Sequence, residues 1–367
     1  MATLSVGWTA DVSEDDFGRD VIKTMWKQIN NIDQPVSISA RAALLRRTWP
    51  VLRQILAKSP KNTMTVWTQE GGSDWACGTI YDLLYVHNDW SKEAIHFDIP
   101  ESWFEEFRNL MMTAGSALHH FGIQDRDAAK ITWGHAVNCK ADLEKHVNDD
   151  TMFLEADILL DGQYTDRQTD VPIMAHPPSV HSDVTFAEWV DTVAESNKGM
   201  KLDFKSLESV APALKILKKK HDQGRLTQPV WLNADILTGP NTTAKGRDAP
   251  QFLKIVDETF PQCTLSIGWT TGWTNTEADT GYSMEMVREM NELARPLRQP
   301  VSFPIRAAAA KRSWKELDWL LKQSRGYTLT IWHASSDIVS LDEMKFIRAH
   351  SESSRIYFDL PAALMPL

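Results

Sequence analysis

Three carboxylates interrupt short apolar runs: Glu155 and Asp157 in FLEADILL (153–160), and Asp203 in GMKLDFK (199–205). On a strand, residues i and i+2 point to the same side, so Glu155 and Asp157 converge while Ala156 faces away. Buried carboxylates repel one another and are costly to desolvate, so the arrangement calls for a cation, a proton or a substrate. An oxygen-only ligand set suits a divalent Mg²⁺ or Ca²⁺ ion better than zinc. His135 ends the run ITWGHA and His176 sits in PIMAHPP. Histidine titrates nearest neutral pH, which fits the pair for general acid and general base. Lys205, two residues after Asp203, and Arg306, closing PVSFPIRAA, would hold an anion; Lys205 also offsets the carboxylates. Metal, histidines and cations together describe phosphodiester cleavage, with metal and lysine stabilising charge on phosphorus while the histidines move protons.

The elements that must carry these residues are eight apolar runs. They are ITWGHA (131–136), FLEADILL (153–160), GMKLDFK (199–205), PVWLNADIL (229–237), TLSIGWT (264–270), PVSFPIRAA (300–308), YTLTIWH (327–333) and RIYFDLP (355–361). Amphipathic stretches with helical spacing separate most of them, as at 207–217 and 284–297. Such alternation predicts an α/β fold with a parallel sheet covered by helices. Eight units in about 235 residues fit a (β/α)8 TIM-type barrel, whose functional residues gather at the C-terminal ends of the strands. The alternative, an open doubly wound sheet, lacks a GxGxxG turn after its first strand. PIMAHPP is expected to return as a hairpin. Asn233 and Asp235 repeat the i, i+2 spacing and fit either a brace at the barrel mouth or substrate contact. Trp133, Trp231, Trp269 and Trp332 fall on strands, as ordinary core or, for Trp269 and Trp332, as an aromatic wall at a substrate.

Composition narrows the partners. The chain has 367 residues, 43% hydrophobic and 24% charged, as in globular domains, and a formal charge of −10. That charge disfavours nucleic acid and anionic membranes, and the run KILKKKH (215–221) reads as a solvated helix face. Cys77, Cys139 and Cys263 are too scattered for a zinc knuckle or disulfide framework. No apolar run is long enough for a transmembrane helix, and the N-terminus has no secretion-signal pattern.

The chain also repeats itself. LSVGWT (4–9) returns as LSIGWT (265–270), and PVSISARAA (35–43) as PVSFPIRAA (300–308). MTVWT (64–68) returns as LTIWH (329–333), and IHFDIP (95–100) as IYFDLP (356–361). Matches in the same order mark an internal repeat. Residues 1–126 therefore read as the C-terminal half of a second barrel, equivalent to strands five to eight, ahead of a complete barrel at 127–367. Trp8, Arg41, Trp67 and Asp98 are counterparts of Trp269, Arg306, Trp332 and Asp359, but the half repeat lacks the strands bearing the carboxylates and histidines. Four strands leave two open edges. The expectation is either a truncated two-barrel protein, whose longer form would carry any signal peptide, or two half barrels closing as a dimer.

The motifs WGHAVNCKADL, FLEADILL, PIMAHPP, GMKLDFKSL and PVWLNADILTGP, in this order, resemble the menorin family, related to the glycerophosphodiester phosphodiesterase and phospholipase-C-like barrels. The resemblance spans 127–361 as a full domain and 4–100 as half of another. It implies metal ligation by Glu155, Asp157 and Asp203, acid–base roles for His135 and His176, and an electrostatic role for Lys205. The substrate implied is a glycerophosphodiester or lysophospholipid, a small phosphodiester or lipid headgroup. Two departures stand beside the histidines: His135-Ala136-Val137 replaces His-Arg-Gly, and His176-Pro177-Pro178 replaces His-Asp. They favour a second expectation, a non-catalytic protein-interaction module of extracellular or membrane-associated complexes, as in neuronal patterning. Localisation stays open.

Overall fold

The computed structural model describes residues 4–6, 24–28, 34–59, 61–68, 83, 86, 94–101, 103, 117–123, 125–297, 299–324 and 326–366. They divide into two compact units, residues 1–111 and 112–367. The first holds β1 (Leu4–Val6), β2 (Val36–Arg41), β3 (Thr63–Trp67) and β4 (Ile95–Asp98). The second holds β5 (Trp133–Gly134), β6 (Phe153–Leu160), β7 (Pro172–Met174), β8 (Gly199–Phe204) and β9 (Val230–Thr238). It continues with β10 (Thr264–Thr270), β11 (Val301–Arg306), β12 (Tyr327–Trp332) and β13 (Ile356–Asp359).

Every one of the eight expected runs is a strand of the second unit. They pair in parallel in the order β5-β6-β8-β9-β10-β11-β12-β13, and β7 returns antiparallel on β6 as the expected hairpin. The result is a nearly closed eight-stranded parallel barrel. Among the described residues no ladder joins β13 to β5, and side chains span that seam instead. Trp133 meets Tyr357 edge-on at 6.4 Å, His135 reaches Asp359, and Arg348 grips Asp127 through two hydrogen bonds of 3.1 and 2.5 Å.

Period-2 alternation sorts the side chains into two layers. Leu154, Ala156 and Ile158 of β6, Met200, Leu202 and Phe204 of β8, and their equivalents face outward and form the core shared with the helices. The inward set is polar at mid-height: Glu155, Lys201, Asn233, Ser266, Ser302 and Thr330, all buried. Such groups survive burial by bonding one another, as Ser266 Oγ does to Asn233 Oδ1 at 2.6 Å and Ser302 to Thr330 at 2.9 Å. Toward the start of the strands the interior turns aromatic. Phe153, Trp231 and Tyr357 cluster with Ala117, Leu118, Ala128 and Ile131, so Ala117 and Leu118, which lie ahead of the sequence-based division at 127, pack with the barrel.

One glycine makes that aromatic floor possible. A Cβ at Gly199 would stand 2.7 Å from the Phe153 ring.

In the first unit, β1 to β4 pair in parallel in chain order. Their registers repeat those of the later strands: Ser37 pairs with Thr63 as Ser302 does with Thr328, and Trp67 with Asp98 as Trp332 does with Asp359. Val36, Ile38 and Ala40 are buried, while Ser37, Ser39 and Arg41 on the opposite face are half-buried. Trp8 and Cys77 lie outside the described residues. Among the described residues no helix is long and apolar enough to cross a membrane.

Gly199→Val would force the Phe153 ring off the floor, and overpacking of this kind costs about 2 kcal/mol. Urea denaturation should show a lower midpoint with Glu155, Asp157 and Asp203 untouched; an unchanged midpoint would mean the floor yields freely.

Candidate functional site

The C-terminal mouth of the barrel opens into a cavity of about 420 Å³. His135, Glu155, Asp157, His176, Lys201, Asp203, Lys205, Asn233, Asp235, Arg306 and Trp332 all contribute to its walls. Strand parity explains the gathering. Residues 155 and 157, 201, 203 and 205, 233 and 235, and 332 lie on inward positions of neighbouring strands. By the same parity Trp269 points outward, between Tyr282 at 5.1 Å and Phe303 at 6.2 Å, in the core. Trp133 and Trp231 belong to the aromatic floor. Of the four strand tryptophans, Trp332 is the cavity wall.

Glu155, Asp157 and Asp203 each offer an oxygen, and these oxygens lie within 4.8 Å of one another. The loop after β5 orients Glu155 and Asp157. Val137 N donates to Glu155 O at 2.8 Å, and Ala136 N donates to Glu155 Oε2 at 2.8 Å. Asn138 clasps Asp157 twice, its amide donating to Oδ2 at 2.7 Å and its carbonyl accepting from Asp157 N at 2.8 Å. The loop is anchored in turn by Trp189 Nε1, which donates to Val137 O at 3.0 Å from a helix whose start is fixed by a Thr185–Glu188 capping box.

Lys205 supplies the counter-charge, 2.5 Å from Asp203 and 3.0 Å from Asp157. Burial alone would lower its pKa, but the charges of Asp203, Asp157 and Glu155 outweigh burial and raise it, so the ammonium persists. Asp203 shows the mirror effect: burial pushes its pKa up, and Lys205 more than reverses this. Glu155 is less well compensated. Burial, followed by the charge of Asp157, raises its pKa despite His135 and Lys201. Asp235 is likewise pushed up to about 6, by burial and then by Asp203.

Asn233 accepts from Ser266, which leaves its amide group to donate toward Asp203. Arg306 is committed. Its Nε and Nη2 donate to Asp337 at 2.7 and 2.5 Å, and its guanidinium stacks 5.6 Å over Trp332. Asp337 neutralises most of the charge expected to hold an anion, leaving Nη1 toward Thr271 at 3.4 Å.

The two histidines are set up differently. His176 is exposed and places Nδ1 2.7 Å from the Pro177 carbonyl. A carbonyl only accepts, so Nδ1 carries the proton and Nε2 is the acceptor. His135 places Nδ1 between Asp359 Oδ2 at 3.3 Å and Glu155 Oε2 at 3.4 Å. The Asp359 hydrogen bond is the largest influence on its pKa, opposed by partial desolvation at the cavity wall and aided by Glu155, and the imidazole is raised to about 9.

The sequence over residues 1–103 and 127–365 matches the Menorin N-terminal domain. The chain belongs to the menorin family. Human protein FAM151B is similar to it, 43% identical over 263 residues, which cover 71% of this chain and 91% of that protein. The two menorin matches fall on the two copies of the repeat, and the second contains every residue of the cavity.

One cavity residue, Lys201, and three partners of cavity residues escaped the reading of the sequence. Lys201 carried a signal, since it precedes Asp203 and Lys205 on the same inward parity. Asp359 ends the last strand, far from His135 in sequence, and Asn138 and Asp337 sit on loops. Nothing local in the sequence marks those three.

A pH effect follows from His135. Its folded pKa lies above the ordinary 6.5, so its contribution to stability is complete below pH 6.5 and is lost as pH rises through about 9. An NMR titration of the metal-free protein should find the His135 ring protons shifting near pH 9. A midpoint at 6.5 would mean that the carboxylates do not hold it.

Proposed function

We propose that this chain binds one divalent cation, Mg²⁺ or Ca²⁺, at Glu155, Asp157 and Asp203 and cleaves a phosphodiester of glycerol or of a lysophospholipid. The observation that carries the reading is the triangle of carboxylate oxygens within 4.8 Å in a cavity that also receives both histidines. The donor set fits the ion: all ligands are oxygen, and hydrogen bonds from Ala136 and Asn138 pre-aim two of the carboxylates. The raised pKa of Glu155 is what an acidic site short of one positive charge would show. Such an ion, when bound, would supply Lewis-acid polarisation of a phosphoryl oxygen.

The residues of the chain divide the remaining work. His176 Nε2, the free acceptor, takes a proton from an attacking water as its oxygen bonds to phosphorus. The bond from phosphorus to the leaving alcohol breaks, and His135 gives that alkoxide a proton. Proton transfers of this kind contribute about 10²–10⁴-fold. Lys205, held by Asp157 and Asp203, stabilises negative charge building on the phosphoryl oxygens. Trp332 and Pro304 form an apolar flank for the glycerol or acyl portion. A non-catalytic interaction module is the second reading. It is favoured by Arg306, whose charge Asp337 already satisfies, and by Ala136 where the phosphodiesterases carry arginine.

Isothermal titration should detect one ion per chain, and Glu155→Gln with Asp157→Asn should abolish it without making the protein less stable than metal-free wild type. Equal binding by both proteins would remove these residues from the ligand set. Against glycerophosphodiesters and lysophospholipids, His135→Ala and His176→Ala should each lower turnover by ~10²-fold or more and leave metal affinity nearly unchanged. No metal-dependent hydrolysis by wild type across that panel would leave the interaction reading.

A further inference from the structure

The ring of His135 is exposed and follows a strand of only two residues, with the next residue, Ala136, at a φ of 53°. The loop backbone places the residue, and the orientation of the ring is left to its side-chain partners. What fixes it is a choice between two carboxylates at Nδ1, Glu155 at 3.4 Å and Asp359 at 3.3 Å. Glu155 already accepts from Ala136 N and, on the reading above, is shared with a cation. Asp359 lies outside the metal triangle. It ends β13, is 7% exposed, and reaches His135 across the seam where no ladder joins the strands among the described residues.

An anion so deep in a barrel needs a counter-charge that does not depend on the histidine. Lys201 provides one. Its ammonium is buried, lies 3.9 Å from Asp359 Oδ2 and sits 5.6 Å over the Trp133 ring. With Lys201 present, Asp359 keeps a partner even when His135 gives its proton away. The repeat supplies a contrast inside the same chain. Asp98 occupies the same register beside Trp67 that Asp359 occupies beside Trp332, and no copies of the strands carrying His135 and Lys201 accompany it. Asp98 is exposed, whereas Asp359 is buried.

We propose that Asp359, with Lys201 as its counter-charge, is the positioning residue of this site: it holds the proton of His135 on Nδ1 and turns Nε2 toward the substrate. The inference rests on the catalytic reading for its consequence, but not for its geometry. If Asp359 were only a tie across the seam, its loss would affect stability and leave the imidazole tautomer alone.

Ring-nitrogen NMR of the full chain, saturated with Mg²⁺ at a pH where His135 is neutral, separates the two. Wild type should carry the proton on Nδ1. Asp359→Ala should move the tautomer ratio ~10-fold or more toward Nε2–H, the form free histidine prefers, and lower kcat for bis(p-nitrophenyl) phosphate ~10-fold or more at constant KM. Mg²⁺ affinity should stay within about 3-fold, because Asp359 is no ligand. Should Asp359→Ala fail to fold, Asp359→Asn keeps the side-chain shape at the seam, and its amide, able to present either edge, should erase most of the preference. Lys201→Met should shift the ratio in the same direction and add nothing on top of the Asp359 change, since it acts through Asp359. An unchanged tautomer in a folded Asp359 variant, or an additive Lys201 effect, overturns the proposal. If wild type shows no turnover at all, the phosphodiesterase reading falls while the tautomer measurement still decides the role of Asp359.

Discussion

The ammonium of Lys205, wedged between Asp157 and Asp203, is the interaction on which the interior of this barrel depends. Inward positions at this height carry Glu155, Asp157, Asp203 and Asp235, and each would resist ionisation if buried alone. Lys205 lies 3.0 and 2.5 Å from two of them, close enough for attraction to outweigh much of their desolvation. Its reach is limited, however. Glu155 and Asp235 both keep raised pKa values, and burial is the first cause for each. The chain thus carries enough positive charge to fold with its carboxylates in place, and too little to satisfy them all. A divalent cation at the triangle would make up the difference.

That shortage also orders the neighbouring elements. The loop after β5 spends two hydrogen-bond donors, Ala136 N and Asn138 Nδ2, on Glu155 and Asp157. Because the same loop begins at His135, aiming the carboxylates and placing the histidine become one structural task. Trp189 and the capped helix behind it stabilise the loop from the outer layer, so outer-layer packing reaches the site through the carbonyl of Val137.

The strands and most of the cavity were legible because both follow from alternation. A run such as FLEADILL has apolar residues to satisfy the outer core and polar ones to face inward, and parity then brings 155, 157, 203, 205, 233 and 235 to one mouth. The same arithmetic, applied strictly, would have sent Trp269 to the core and added Lys201 to the site. The contacts that stayed hidden join residues distant in sequence. Arg306 looked like a free anion holder until Asp337, on the loop after β12, proved to clamp it. Asp359 and His135 lie at opposite ends of the barrel sequence, and only closure of the cylinder brings them together.

Strand register is what the two copies of the repeat share. β1 to β4 and β10 to β13 share register residue for residue, which shows that the strand sequences suffice to specify pairing with their neighbours. They do not suffice to bury the inward face. Ser302 and Arg306 are buried in a sheet that also holds the strands bearing Glu155, Lys201 and Asn233, while, among the described residues, Ser37 and Arg41 are half-buried and Asp98 exposed. A polar inward face is compatible with either state: hydrated on its own, or paired inside a barrel. In β10 to β13 that polar face is paired, Ser302 with Thr330 and Arg306 with Asp337, which is how a nearly closed barrel carries a polar lining with its hydrogen bonds met.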